Sequence, residues 1–562
     1  MRHVALVATL AITDATAMAA PWEDTPAVRA MKDEMARSMT KLELPGFGKP
    51  YFMSNLMTDG RYVRVRASLG AIVDSDAGPD KSVEIDLRVG DYAFDNSNYE
   101  DSVRAPAPLS VEDDYDATRR DLWLMTNWQY KSAVETLERK RAVAKAEAKS
   151  ADEVVSFSKE PPSHIVDDHP IPALDQPAIE ALAKKLSAVF RTNPDVHDGT
   201  VTITAAGGKQ YFVSSEGSAS MQSGSFIKID VDCSTVADDG MPIRDSLSAM
   251  AERFDQLPSE AELVAQVDKL SRELSALRAA PIVDDYSGPV LFEGVAAGQV
   301  VRALLADNFS GTPATKGDRP GVRASTESEL VSKVGLRILP AGTTVIDDPT
   351  TKRIGKLAVF GDNRFDDEGV ASTKVSLVEN GMFKRFVMSR TPRKGFEHSN
   401  GHAAWMAFGS SSAQPGNLIL SSTRSVPDSE LRRRAMAAAR EEGLKYVLVV
   451  DRLSLDRSGR ATHPRPTVMR RVFPDGHDEL VRGGSFGALP VKSLKDLLGI
   501  GATPIAYHYI ASGRASVNSM STRDTGHFVS IVTPALLFRD LDVNKPTGPQ
   551  RAAPIAPRPK PR

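Results

Sequence analysis

Gly288-Pro289-Val290-Leu291-Phe292-Glu293-Gly294, followed by the apolar run Val295 to Leu305, is the stretch on which the reading of this chain turns. A short β-branched and aromatic run between glycines reads as a strand, and the run behind it as a helix. Glu293 then stands near a helix start, where the dipole favours a carboxylate. The texture changes here too. From Tyr286 to Asp542, short apolar strands alternate with Gly, Pro and Asp turns. Helices in this half are few, near Ala297 to Ala306, Ser429 to Glu442 and Val491 to Leu498.

Upstream the pattern is mixed. Tyr51 to Met57, Tyr62 to Val73 and Lys81 to Phe94 read as strands, with Asp59-Gly60 as the turn between the first two. Tyr115 to Lys149 is long, charged and almost free of Gly and Pro, the pattern of an extended helix. A Pro-containing link, Glu160 to Pro177, leads to a helix over Ala178 to Phe190. Strands are predicted at Thr200 to Ala205, Lys209 to Ser215 and Ser225 to Val231, with Gly207-Gly208 as a tight turn. Two helical stretches follow, the second starting at Pro258 and running to about Leu277. The fold class is therefore α+β: an N-terminal mixed sheet carrying long helices on one side, followed by a β-rich C-terminal domain. The expected divisions are 1–20, 21–285, 286–543 and 544–562.

The ends read differently from the middle. Met1 to Ala20 has a short positive start at Arg2, an apolar run from Val4 to Ile12, and Ala17-Met18-Ala19 as a cleavage pattern. Export to the periplasm or beyond is the expectation. Asn544 to Arg562 is Pro-rich and basic and cannot bury a core. The 562 residues are 41% hydrophobic and 25% charged, which excludes wholesale disorder. Lys plus Arg number 70 against 73 for Asp plus Glu, a balance that argues against a dedicated nucleic-acid binder. No stretch approaches the ~20 apolar residues of a membrane-spanning helix. One cysteine, Cys233, excludes an internal disulfide framework and any zinc site built from several thiolates.

Several constellations carry candidate chemistry. Gly483-Gly484-Ser485-Phe486-Gly487 satisfies G-x-S-x-G, but Leu489-Pro490 interrupts the helix an esterase needs, so it reads as a glycine-rich turn. His398 and His402 stand at i and i+4, yet Ser399-Asn400-Gly401 between them is turn chemistry rather than a helix face. Asp366-Asp367-Glu368-Gly369 reads as a turn that ends a strand, or as a hard-cation site.

Taken in order, Gly288 to Glu293, Phe365 to Val370, Leu377 to Gly381, Met388-Ser389-Arg390-Thr391-Pro392, Ser399 to His402 and Thr533 to Phe538 resemble the TldD/PmbA family of metallopeptidase-related proteins. Val89-Gly90-Asp91-Tyr92 and Phe94-Asp95-Asn96 are the best matches in the first half. The resemblance implies zinc peptidases that work on short or unfolded peptides, with His-Glu-x-x-x-His on a helix and a late cysteine ligand. Fitted here, that motif sets Phe292 and Ala297 at the two histidines and Glu293 at the glutamate. Neither Phe nor Ala offers a lone pair, and Cys233 lies in the other half, so no metal ligand and no cofactor are expected in this chain.

PmbA-type members likewise lack the zinc motif and pair with a zinc-bearing TldD-type subunit. The expectation is a catalytically silent subunit of an exported complex or a homo-oligomer. It would bind extended peptide or unfolded protein along an exposed strand. Glu293, as a degenerate catalytic position, and Ser399, Asn400, Gly401 and His402 are the residues expected near the peptide. One alternative is a divergent metallopeptidase using His398, His402 and Asp366 or Glu293. Another is an exported scaffold on the same fold.

Overall fold

The computed structural model describes residues 21–99, 106–146, 155–315, 327–405, 411–454, 464–487, 489–511 and 527–547. The expected leader, residues 147–149 of the expected long helix and most of the basic tail lie outside the described residues. The α+β architecture is present, with strand-rich sheets filling the second half.

The first half is one seven-stranded sheet built on long strands. Pro50–Ser68 turns at Leu69-Gly70 into Ala71–Val89, and Asp198–Ser214 turns into Ala219–Val236. The expected turns at Asp59-Gly60 and Gly207-Gly208 are therefore absent; both pairs lie inside strands. Their glycines serve close approach instead. Gly60 is in register with Gly208, and Gly208 with Gly224. A Cβ on Gly60 would lie 2.6 Å from the Gly207 carbonyl oxygen. Glycine inside a strand often marks such a contact.

That row separates two cores on one face. Met53 and Met57 lie under α1 (Pro26–Lys41) and α2 (Tyr115–Ala146), while Val63 and Val65 lie under α3 (Gln176–Ala188) and α4 (Glu260–Ala279). All four strand positions are odd-numbered, so both helical pairs cover the same side, as period-two geometry requires. Asp175 caps α3, and Ser259 with Glu262 forms a capping box on α4. The first of the two helical stretches expected after Val231 is instead the strand Pro242–Ala251, which pairs with Ala219–Val236 and extends the sheet. The alternation of buried and exposed residues along it overrides any helical reading.

The second half has two larger sheets around one core. Six strands run in the order Met382–Phe383, Val375–Glu379, Thr343–Asp347, Asn417–Ser422, His527–Thr533, Ile505–Ala511. In the seven-stranded sheet, Tyr286–Phe292 lies between Val447–Ser454, which is parallel, and Leu536–Asn544, which is antiparallel. Short α5 (Val295–Val301) and a π-helical turn, Arg302–Ala306, supply core residues between the sheets. Helix α6 (Asp428–Glu441) covers the other face of the seven-stranded sheet. Val290 and Phe292 thus point into the central core and Leu291 under α6. Val491–Asp496 is a 3-10 turn running into the strand Leu497–Ile500, not the expected helix. Asn544, counted with the tail, pairs with Ser485.

Gly60→Val should cost about 1–3 kcal/mol by overpacking. Gly48→Ala, with open space around its Cβ, should leave the urea midpoint unchanged.

Candidate functional site

Glu293 follows the strand Tyr286–Phe292 and precedes Gly294, whose φ of 52° turns the chain into α5. Its amide donates to the Val450 carbonyl at 3.0 Å. Its carboxylate is gripped by Arg432 of α6, Nε to Oε1 at 2.8 Å and Nη2 to Oε2 at 2.5 Å. This fork occupies both oxygens in the bidentate manner typical of arginine. Phe292 is fully buried, with its ring centroid 5.5 Å from Phe486 and 5.2 Å from Phe538. Ala297 is fully buried too. The first position of the fitted motif thus closes a strand, and only the last lies in a helix.

His402 is elsewhere. Its ring is buried, with Nε2 2.8 Å from Asp347 Oδ2 and Nδ1 2.9 Å from the Asn400 carbonyl. Both ring nitrogens are engaged by protein oxygens, so neither is turned to an open metal position. His398 is exposed and lies 3.5 Å from Glu160. The two histidines share no partner. Ser399 donates its amide to Glu160, the Asn400 side chain bridges Met388 and Phe386, and Gly401 holds a φ of 77°. A Cβ at Gly401 would strike the Ala371 carbonyl. Among the described residues, no group of three or more His, Cys, Asp or Glu side chains is placed to hold a metal ion. Cys233 is buried in the N-terminal sheet, and burial pushes its thiol pKa up.

The acidic segment makes the turn expected of it. Asp366 Oδ1 accepts from the amides of Glu368 and Val370, and Oδ2 from that of Ala403. Burial and neighbouring Glu368 raise its pKa well above the usual carboxylate range, and burial pushes Asp367 up to about 6. Glu368 reaches across to the first half. Its Oε2 accepts from the Arg390 amide, and its Oε1 lies 3.6 Å from Arg88.

Arg88, fully buried, also pairs with Asp86 at 3.0 Å and Asp95 at 3.1 Å. Burial pushes the Asp95 carboxyl up, but Arg88 and Lys140 outweigh this and hold it below the usual range. Arg390 forks onto Glu216 at 2.7 and 2.9 Å and donates to the Ser158 carbonyl. Both guanidinium groups stack on Phe157, at 3.5 and 3.8 Å from its centroid. Sequence reading missed Arg88, Phe157 and Asp347. Asp86-x-Arg88, two residues apart and hence on one strand face, was the available signal for the first.

Residues 286–453 match the family model described as the PmbA/TldA metallopeptidase C-terminal domain. That domain match, together with the fold, supports a TldD/PmbA family assignment. The fold is similar to that of TldE from Thermococcus kodakarensis, at 16% identity and a TM-score of 0.58, over 92% of this chain and 100% of that one. Two proteins described as candidate modulators of DNA gyrase are also similar. The Thermotoga maritima protein gives 14% identity and a TM-score of 0.57, over 92% of this chain and 99% of its own. The Bacteroides thetaiotaomicron protein gives 11% and 0.59, over 94% and 99%. No curated protein matches the chain in sequence.

Arg390→Ala should lower stability by about 3–5 kcal/mol, because it removes a buried guanidinium that holds half-buried Glu216, the Ser158 carbonyl and the Phe157 ring. The urea midpoint measures this. For Asp367, the folded pKa of about 6 exceeds the ordinary 3.8, so the folded chain holds more protons than the unfolded one between these values. Its contribution to stability therefore falls as pH rises from about 4 to about 6. Asp367→Asn, whose amide oxygen still accepts from Trp405, should lose that share of the slope. The gap in urea midpoint between variant and parent should widen in the variant's favour from pH 4 to pH 7.

Proposed function

We propose that this chain is a non-cleaving TldD/PmbA-family protein that holds extended peptide for a zinc-bearing partner. One observation carries the reading. The two positions where the family's motif would supply imidazoles hold Phe292 and Ala297, both sealed in apolar core, and the Glu293 between them is neutralised by Arg432. A water-activating carboxylate needs a free oxygen beside a gripped cation, and neither is provided for here. Sheet edges supply the peptide-holding surface, since an extended chain adds to an open strand through backbone hydrogen bonds that ignore its sequence. Ser399 and Asn400 are partly exposed; the His402 ring is too deeply buried to meet a ligand. The pattern of Met1 to Ala20 supports an exported setting. Among the described residues, no helix is long and apolar enough to cross a membrane.

Metal analysis and a peptidase assay on the purified chain test this reading. The expected result is zinc far below one per chain and no cleavage of unstructured peptides. Stoichiometric zinc with turnover would overturn it.

A further inference from the structure

The turn Arg302–Ala306 continues α5 with π-helical bonding. Such turns are rare, cluster at functional sites, and bring residues five apart into line through i→i+5 hydrogen bonds. Arg302 and Asp307 are so spaced. The Arg302 guanidinium lies over the Tyr509 ring, 3.9 Å from its centroid, and donates from Nη1 to the Tyr507 hydroxyl at 3.1 Å. The two tyrosine rings stack, with centroids 5.7 Å apart. Tyr507 packs against Gly298 of α5, where any Cβ would collide with it.

Arg88, Arg390 and Arg452 are each matched by buried or half-buried carboxylates. Arg302 has no carboxylate within ion-pair distance among the described residues, Asp307 acting on it from further off, and its half-buried guanidinium is given one side-chain hydrogen bond, from Nη1. Asp307 keeps solvent contact, yet the crowding of protein atoms around its carboxyl pushes the pKa up to about 6 against the pull of Arg302. Both tyrosines belong to Ile505–Ala511, the outermost strand of the six-stranded sheet. Among the described residues, that strand pairs only with His527–Thr533 and leaves its other edge open.

We propose that Arg302, seated on Tyr507 and Tyr509, binds the C-terminal carboxylate of an extended peptide laid along the edge of Ile505–Ala511, with Asp307 accepting the terminal residue's N–H. This rests on the peptide-holding reading above and names which end of the peptide is held. A planar guanidinium matches a carboxylate in two parallel hydrogen bonds, and its tyrosine platform fixes the fork before binding. The Asp307 charge disfavours a phosphate dianion in the same place and leaves room for a monoanion that carries its own donor.

Titration calorimetry on the full chain tests the assignment with one unstructured peptide, as the free acid and as the C-terminal amide, and with inorganic phosphate. The acid should bind at least about tenfold more tightly than the amide, the difference one charge-assisted fork supplies. Phosphate should not bind. Arg302→Gln should bind both peptides equally, at the amide's affinity. Equal binding of acid and amide by the native chain would overturn the carboxylate site while leaving peptide holding intact. A preference that survives Arg302→Gln would do the same. No binding of either peptide would overturn both readings.

Discussion

The ring of Phe157, on which both Arg88 and Arg390 stack, is the contact on which the joining of the two halves depends. Arg88 comes from the long strand Ala71–Val89 and Arg390 from a loop of the second half. Desolvating two guanidinium groups costs several kcal/mol each, and the cost is recovered only when every counter-charge is in place. Asp86 and Asp95 come from the first half, Glu216 from the turn after Ser214, and Glu368 from the acidic turn. A shift of either half would leave a buried charge alone. Around this joint, Leu56 and Phe212 meet Phe365, so apolar burial and charge matching act at the same surface.

The family-like segments serve this joint more than they surround Glu293. Asp95 and Asn96 fold the end of the long strand back, with Asn96 accepting from the Val89 amide. Asp366 to Gly369 supplies the turn and the Glu368 bridge, Met388 to Pro392 brings Arg390, and Ser399 to His402 is stitched to Met388 and Asp347. Glu293 sits in a different setting, beside aromatic core and under Arg432. Whatever this protein binds therefore meets a scaffold whose distinctive residues are largely spent on rigidity.

Much of the architecture was legible in the residues. Strand-forming runs, the long Tyr115 helix, α3, α4 and α6 are local patterns, and the sequence shows them within a few residues. Gly60 and Gly207-Gly208 misled because a glycine that opens a turn and one that admits a neighbouring backbone look alike in one dimension. The strand Pro242–Ala251 misled because a partner strand and a helix under it, rather than its own propensity, hold it extended. The turn reading of Asp366 to Gly369 followed from local chemistry. The reach of Glu368 to Arg88, 280 residues away, did not.

The residue types themselves settled one matter. Phe292 and Ala297 carry no lone pairs, and no fold can give them any, so the absence of imidazole ligands at those positions is a property of the sequence. Where each charge finds its partner was settled by tertiary structure. The pairing of Glu293 with Arg432, of His402 with Asp347, and of both guanidinium groups with Phe157 joins residues far apart along the chain. Coulomb and stacking energies act over a few ångströms of space, and only the folded chain brings those atoms within that range.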